Sequence, residues 1–271
     1  MKGGFFMDTT SQTKYNWAEI AADLQELLRL KATPVAMKKY ASKAEMEAIP
    51  KIRRPNKRYL FDQIVAQSVR LGFTIGVTAD DLAMKQCGAI LGLMPQDEDF
   101  YSGEAMDGVW FGTREDSAKH QQSLDVIPYG TYEALAISPL SSGRIENPDI
   151  CLIYASPGQM IVLINGLQWV GFKKFEWSVS GESACADSWG RALATGEPSL
   201  SIPCYAERRF GGVLDDEMLM AISPADLVKA IEGMKKLSRN GLRYPIPPVG
   251  IQADATESLA PIYPNWVRPN K

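Results

Sequence analysis

Histidine is nearly absent from this chain: His120 is the single one in 271 residues. That scarcity removes most histidine-based zinc sites and makes any Ser/His/Asp triad depend on one side chain. His120 itself stands between a lysine and glutamines, the setting of a solvated residue. There are four cysteines and no Cys-x-x-Cys pair, which excludes thioredoxin-like redox motifs and the common zinc ribbons. So few cysteines make no disulfide scaffold, and in a reducing compartment they are expected as free thiols or metal ligands. Gly-x-Gly-x-x-Gly, Gly-x-x-x-x-Gly-Lys-Ser/Thr and His-Glu-x-x-His are missing, so dinucleotide, P-loop and zincin readings lack their signatures. No apolar run approaches the roughly 18 residues that span a bilayer, and the first residues lack the extended apolar core of a leader. Positive charge is not in excess either: the net charge is -3, which argues against nucleic acid or anionic lipid as partners. The expected address is the cytoplasm.

What is present is enough apolar material, 45% of residues, to bury one large core. Residues 1–15 read as a flexible terminus, 16–240 as a single α/β domain with mixed α+β character, and 241–271 as an extended arm. The first helix opens at Asn16, with Glu19 in capping-box position and Trp17, Ile20, Ala21, Leu24, Leu27 and Leu28 on one face. Helices are also expected over 59–71, closed by Gly72, over 82–93, over 113–124, over 158–170, and from Ser223-Pro224-Ala225-Asp226, the clearest start in the chain. Strands are expected at 33–37, 73–77, 132–137, 150–155, 172–179, 199–202 and 217–222. The nearly continuous apolar run at 150–155 suits a central strand, which makes Cys151 a core residue. The basic run 51–58 reads as a solvated loop. Tyr263 and Trp266 in the proline-rich arm suggest packing on the body or on a second subunit, hence a homo-oligomer.

An internal echo organises the middle of the chain. Leu71-Gly72-Phe73 and Val170-Gly171-Phe172 each close a helix and open a strand, and Gly88 with Leu91 is matched by Gly190 with Leu193. The reading is two pseudo-repeated β-α-β-α halves, about 31–95 and 146–240, packed as one body. Under this alignment Cys87 and Cys185 lie on equivalent helices near a shared pocket.

The chemistry is expected in that pocket. Cys185 sits in a first helical turn and Cys204 precedes Arg208 and Arg209; helix dipole and guanidinium both favour a thiolate. Cys204 and Cys185 are therefore the candidate catalytic groups. Cys87, Tyr205 and Arg208 are the candidate binding groups, with Arg208 forking a carboxylate or phosphate of a small organic, anionic ligand. Asp80, Asp81, Glu182 and Asp187 near the helix starts read as dipole complements, with acid–base chemistry the alternative. Two readings stand beside an enzyme or cofactor carrier: a non-catalytic ligand-binding module, and a subunit whose role is assembly.

Thr33-Pro34-Val35-Ala36, Cys87-Gly88-Ala89 with Leu91-Gly92-Leu93, Pro148-Asp149 followed by Ser156-Pro157-Gly158-Gln159-Met160, and Gly181-Glu182-Ser183 to Cys185 leading to Cys204 and Arg208 occur in this order. Taken together they resemble the prokaryotic domain-of-unknown-function 169 family, over roughly residues 28–237. The resemblance implies a pocket role for Gln159 and no specific reaction. It also implies a cysteine where this chain has Asp62 and a glycine where it has Ala206. If the family's cysteines hold a metal or an iron–sulfur cluster, this member keeps Cys87, Cys185 and Cys204, with Asp62 as an oxygen ligand, and an all-thiolate cluster is in doubt.

Overall fold

The computed structural model describes residues 15–268; the expectation for the N-terminal residues lies, Tyr15 apart, outside them. The order is α1 (Trp17–Leu28), β1 (Val35–Tyr40), α2 (Lys43–Glu47), α3 (Phe61–Leu71), β2 (Ile75–Val77), α4 (Lys85–Ile90), α5 (Glu98–Tyr101), α6 (Arg114–Ser123), β3 (Ala134–Pro139), β4 (Ile150–Ala155), α7 (Pro157–Leu167), α8 (Arg191–Thr195), β5 (Ser199–Ser201), α9 (Tyr205–Arg209), β6 (Met218–Ile222), α10 (Pro224–Arg239) and α11 (Thr256–Leu259). A π-helical turn, Ala186–Gly190, leads into α8. Local chemistry sets several boundaries. Asn16 Oδ1 accepts from the Glu19 amide at 3.3 Å, and Ser223 Oγ accepts from the Asp226 amide at 3.2 Å, so two orphan donors are met by side chains. Gly72 closes α3 at φ 72°, a conformation that costs glycine nothing.

The six strands form one antiparallel sheet in the order β2-β3-β1-β4-β6-β5. Alternation along each strand divides its side chains between two cores. Val35, Met37, Leu152, Tyr154, Leu219 and Ala221 face α3, α4 and Trp189. Ala36, Cys151, Ile153, Met220 and Ile222 face α1, α7 and α10. The molecule is thus a helix–sheet–helix sandwich. Fully buried β4 lies next to the centre of the sheet, and Cys151 is core as expected. Among the described residues no helix is long and apolar enough to cross a membrane.

Strand order is symmetrical about the β1–β4 pair, yet the repeat read from the sequence is not reproduced element by element. Residues 172–179 form no strand; Trp177 donates to the Pro198 carbonyl at 3.3 Å beside the three-residue edge strand β5 without joining the ladder. Helices α3 and α7, which the echo equates, cover opposite faces of the sheet. A twofold perpendicular to the sheet would keep them on one face.

The basic run is tied down locally: Arg53 lies over the Phe73 ring at 3.8 Å, Arg54 pairs with Glu47 and Asp81, and Arg58 Nε donates to the Asp80 carbonyl. His120 is a correction. It is buried, its Nε2 lies 3.1 Å from the Glu182 carbonyl and its ring packs on Phe111. For the arm, packing on its own body is corrected past Gly250. Tyr244 packs at its root against the α1, α7 and α10 layer, but no side chain described past Gly250 is buried in the chain. Deleting residues after Gly250 is therefore expected to move the melting temperature of dilute protein by no more than about 1 °C. A loss of several degrees that grows with protein concentration would instead put the arm on a second copy.

Candidate functional site

On the α3 side of the sheet, the starts of α3, α4, α9 and the π-helical turn converge on a cleft of about 220 Å³. Its lining includes Asp62, Gln86, Cys87, Glu182, Ser183, Cys185, Cys204 and Tyr205. Met84, Trp110, Tyr205 and Phe210 form the rim with largely exposed apolar surface. A second chamber of about 200 Å³ adjoins it, sharing Trp110, Glu182, Tyr205 and Ala206. The rings of Trp110 and Tyr205 meet edge to face, 5.8 Å apart, between the two chambers.

The cleft therefore brings Cys87, Cys185, Cys204, Tyr205 and Asp62 together from four separated stretches of chain. Cys87 Sγ and Cys185 Sγ are 3.5 Å apart across 98 positions of sequence. Two of the candidate residues are not there. Arg208 turns outward: Nε donates to the Pro203 carbonyl, Nη1 to the Leu214 carbonyl, and Asp215 lies 3.9 Å away. Gln159 lies by α1, across the sheet. Its carbonyl oxygen caps the Ser156 amide at 2.7 Å and its amide donates to the carbonyls of Leu28 and Arg29. It serves the start of α7, with no reach to the cleft.

With Arg208 gone, the lining described carries carboxyl groups and no lysine, arginine or histidine. The thiols respond accordingly, against the expectation of thiolates. Burial, then the neighbouring Glu207 carboxyl, push Cys204 well above the ordinary range of a thiol. The Cys87 hydrogen bond and then burial raise Cys185. For Cys87 the Cys185 hydrogen bond pulls downward, but burial and the charges of Asp62, Glu207 and Glu182 leave it raised. The dipole argument fails because Cys185 is hydrogen-bonded to Cys87, buried and beside carboxylates, which together outweigh the helix start of which it is part.

Glu207 was missed by sequence reasoning, although Cys204-Tyr205-Ala206-Glu207 is a capping-box spacing. Its Oε2 accepts from the Cys204 amide at 2.9 Å. Asp62 is 4% exposed and Glu207 1%, and both border a void of about 10 Å³ behind the cleft, with Tyr154 and Gly211. Asp62 Oδ1 and Glu207 Oε1 have no hydrogen-bond partner among the described residues. Burial is the leading cause that pushes Asp62 up to about 6 and Glu207 up to about 8, with Asp62's charge adding to the second. At neutral pH one carboxyl of this pair is ionised and the other holds its proton.

The opposite wall is pinned by amides. Gln86 Nε2 donates to Ser183 Oγ at 2.7 Å and to Gln121 Oε1 at 2.8 Å, and Gln121 returns a bond to Gln86 Oε1 at 3.0 Å. Ser183 Oγ–H donates to Glu182, and Ser183 itself holds φ 57°, a strained value for a residue with a Cβ that a surrounding network must maintain. Asp81 and Asp187 are capping residues as read, accepting from the amides of Thr78 and Ser180. Among the described residues no group of three or more His, Cys, Asp or Glu side chains is spaced to share a metal ion. The set Cys87, Cys185, Cys204 and Asp62 lines one cavity without closing into a ligand cage.

Every lining residue of the cleft falls within residues 23–233, the span that matches the DUF169 family, described as uncharacterised ArCR. The chain belongs to this family. A relative of this DUF169 member in Methanocaldococcus jannaschii, an uncharacterised protein, is 24% identical over 135 residues, which cover 48% of this chain and 58% of the relative. No solved structure matches the chain.

Proposed function

We propose that this chain binds a small organic molecule with an apolar body and a protonated nitrogen, seated in the thiol-lined cleft with the cationic end toward Asp62. The observation that carries the reading is the composition of one surface: an exposed apolar rim of Met84, Trp110, Tyr205 and Phe210 opens onto a polar wall with carboxyl groups and no basic side chain in its described lining. Contiguous exposed apolar surface leading into a concave site is the usual setting of a ligand. Aromatic faces beside a carboxylate favour a cation and oppose an anion. An anionic ligand, the expectation that rested on Arg208, meets no guanidinium in the described lining, Arg209 lying outside it against the rings of Tyr205 and Phe210.

Benzylammonium, benzyl alcohol and benzoate share a shape and differ in charge, so titrating each into the protein while following tryptophan fluorescence tests the reading. Benzylammonium is expected to bind at least about tenfold more tightly than benzoate, equivalent to about 1.4 kcal/mol. Because binding needs ionised Asp62, pushed up to about 6, affinity falls about tenfold per pH unit below that value and is level between it and the titration of the amine. Asp62→Asn removes both the preference and the pH dependence. Equal or tighter binding of benzoate overturns the proposal.

A further inference from the structure

The cleft also holds a pair of adjacent thiols, Cys87 and Cys185, to which the binding reading gives no role. We propose that Cys87 and Cys185 are a redox-active dithiol that forms a reversible disulfide by exchange with low-molecular-weight disulfides entering the cleft. Their sulfurs are 3.5 Å apart, so closure to the roughly 2.05 Å of a disulfide requires a shift of only about 1.5 Å. Cys87 starts the reaction because it is the more accessible of the two: it is half-buried on the cleft wall, whereas Cys185 lies beneath it, 2% exposed. Two sulfurs fall short of the three or four protein ligands that zinc takes, and two are what a disulfide needs.

The backbone near Cys185 can absorb the movement. The residues that follow it form a π-helical turn, the loosened geometry that recurs at functional sites in helices. The other thiols do not compete on equal terms. Cys151 projects into the core on the far face of the sheet, and Cys204 is placed at the start of α9, where its backbone N–H donates to Glu207 Oε2.

The exchange balances as two steps. Cys87 loses its proton to solvent, its thiolate attacks one sulfur of an organic disulfide, the S–S bond breaks, and one organic thiolate leaves and takes up a proton. Cys185, deprotonated in turn, attacks Cys87 Sγ in the mixed disulfide and expels the second organic thiol. One organic disulfide is reduced to two thiols, and two cysteines are oxidised to one protein disulfide. The Cys87 hydrogen bond and burial raise Cys185, and burial with carboxylate charge leaves Cys87 raised, so the rate rises with pH.

The test uses the full chain, reduced, freed of reductant and incubated with glutathione disulfide at pH 7 and pH 9. The products are trapped with iodoacetamide and mapped by mass spectrometry. The expected product is a cross-linked pair of peptides carrying Cys87 and Cys185, formed faster at pH 9 and lost on adding dithiothreitol. Cys185→Ser is expected to stop at a stable glutathione adduct on Cys87, and Cys204→Ser to form the cross-link as wild type does. An adduct on Cys87 with no cross-link in wild type, a cross-link to Cys204, or four alkylated thiols after prolonged oxidation each overturns the proposal. None of these readouts requires the amine ligand, so this inference and the binding reading stand or fall separately.

Discussion

Glu207→Gln is expected to abolish most of the loss of stability that the wild-type chain undergoes as the pH rises from about 4.5 to about 8. The argument starts from burial. Glu207 is sealed behind the cleft, 1% exposed, and its carboxyl is pushed up to about 8 from an ordinary 4.5, first by desolvation and then by Asp62. A folded-state value above the unfolded one means that the native state binds the extra proton. Stability is therefore complete below about 4.5, declines as pH climbs toward about 8, and is level beyond it. The span corresponds to roughly 3–5 kcal/mol, a large share of the 5–15 kcal/mol typical of a whole domain. Glutamine cannot ionise, yet its carbonyl oxygen can still accept from the Cys204 amide and keep the cap of α9. Asp62 titrates with the same sign between 3.8 and about 6, raised chiefly by its own burial and by Glu182. The variant should keep that shallower decline and be flat from pH 6 to 8. Guanidinium midpoints at unit pH intervals measure both curves, and parallel curves for variant and wild type would dismiss the buried proton.

The same residue shows why part of the site could be read in the sequence and part could not. The thiols announce themselves by rarity, and their gathering follows from which helices open toward one end of the sheet. The sign of the electrostatics was the harder matter. Arg208 and Arg209 stand four and five places after Cys204, but one short helical turn is enough to swing Arg208 onto the carbonyls of Pro203 and Leu214. Arg209 meanwhile lies over the rings of Tyr205 and Phe210. Adjacency in sequence says little about direction on a helix, where neighbours point about 100° apart. Glu207, three places on, returns to the face of the cap.

Local rules succeeded wherever the cause was local. The Asn16 and Ser223 caps, the glycine stop after α3 and the buried run of β4 all rest on contacts within a few residues. They failed where distant contacts decided. Residues 172–179 alternate like a strand but find no ladder, and His120, polar in its sequence setting, is covered by Phe111 and the Glu182 backbone. Trp110 gave no signal, because its part in the rim depends on meeting Tyr205 from a loop about a hundred residues away.

Gly233→Ala should be the most damaging single methyl that can be added to the helical layer across the sheet from the cleft. By helix propensity alone the change would stabilise α10 by about 1 kcal/mol. The position forbids it. A Cβ there would stand 2.0 Å from the Gly166 carbonyl oxygen, 2.7 Å from the Gly166 carbonyl carbon and 2.8 Å from Trp169 Cβ. The first two obstacles are backbone of α7 and cannot rotate away. Gly166 meets the reciprocal limit, with the Ala230 carbonyl oxygen 2.4 Å from where its Cβ would lie. To admit the methyl, α7 and α10 must part along the seam packed by Leu163, Leu167, Leu227, Ala230, Ile231 and Met234. Overpacking of this kind costs about 3 kcal/mol net, a fall of roughly 6–12 °C in melting temperature for a domain of this size. Gly158→Ala is the control, since its Cβ would meet Tyr244 at 3.7 Å, an ordinary contact, and it should leave stability unchanged or raise it by up to about 1 kcal/mol. Equal melting temperatures for the two variants would mean that the helices do not cross this closely. Because the seam is separated from the cleft by the sheet, folded Gly233→Ala protein should keep the benzylammonium preference, which separates a weakened scaffold from a damaged site.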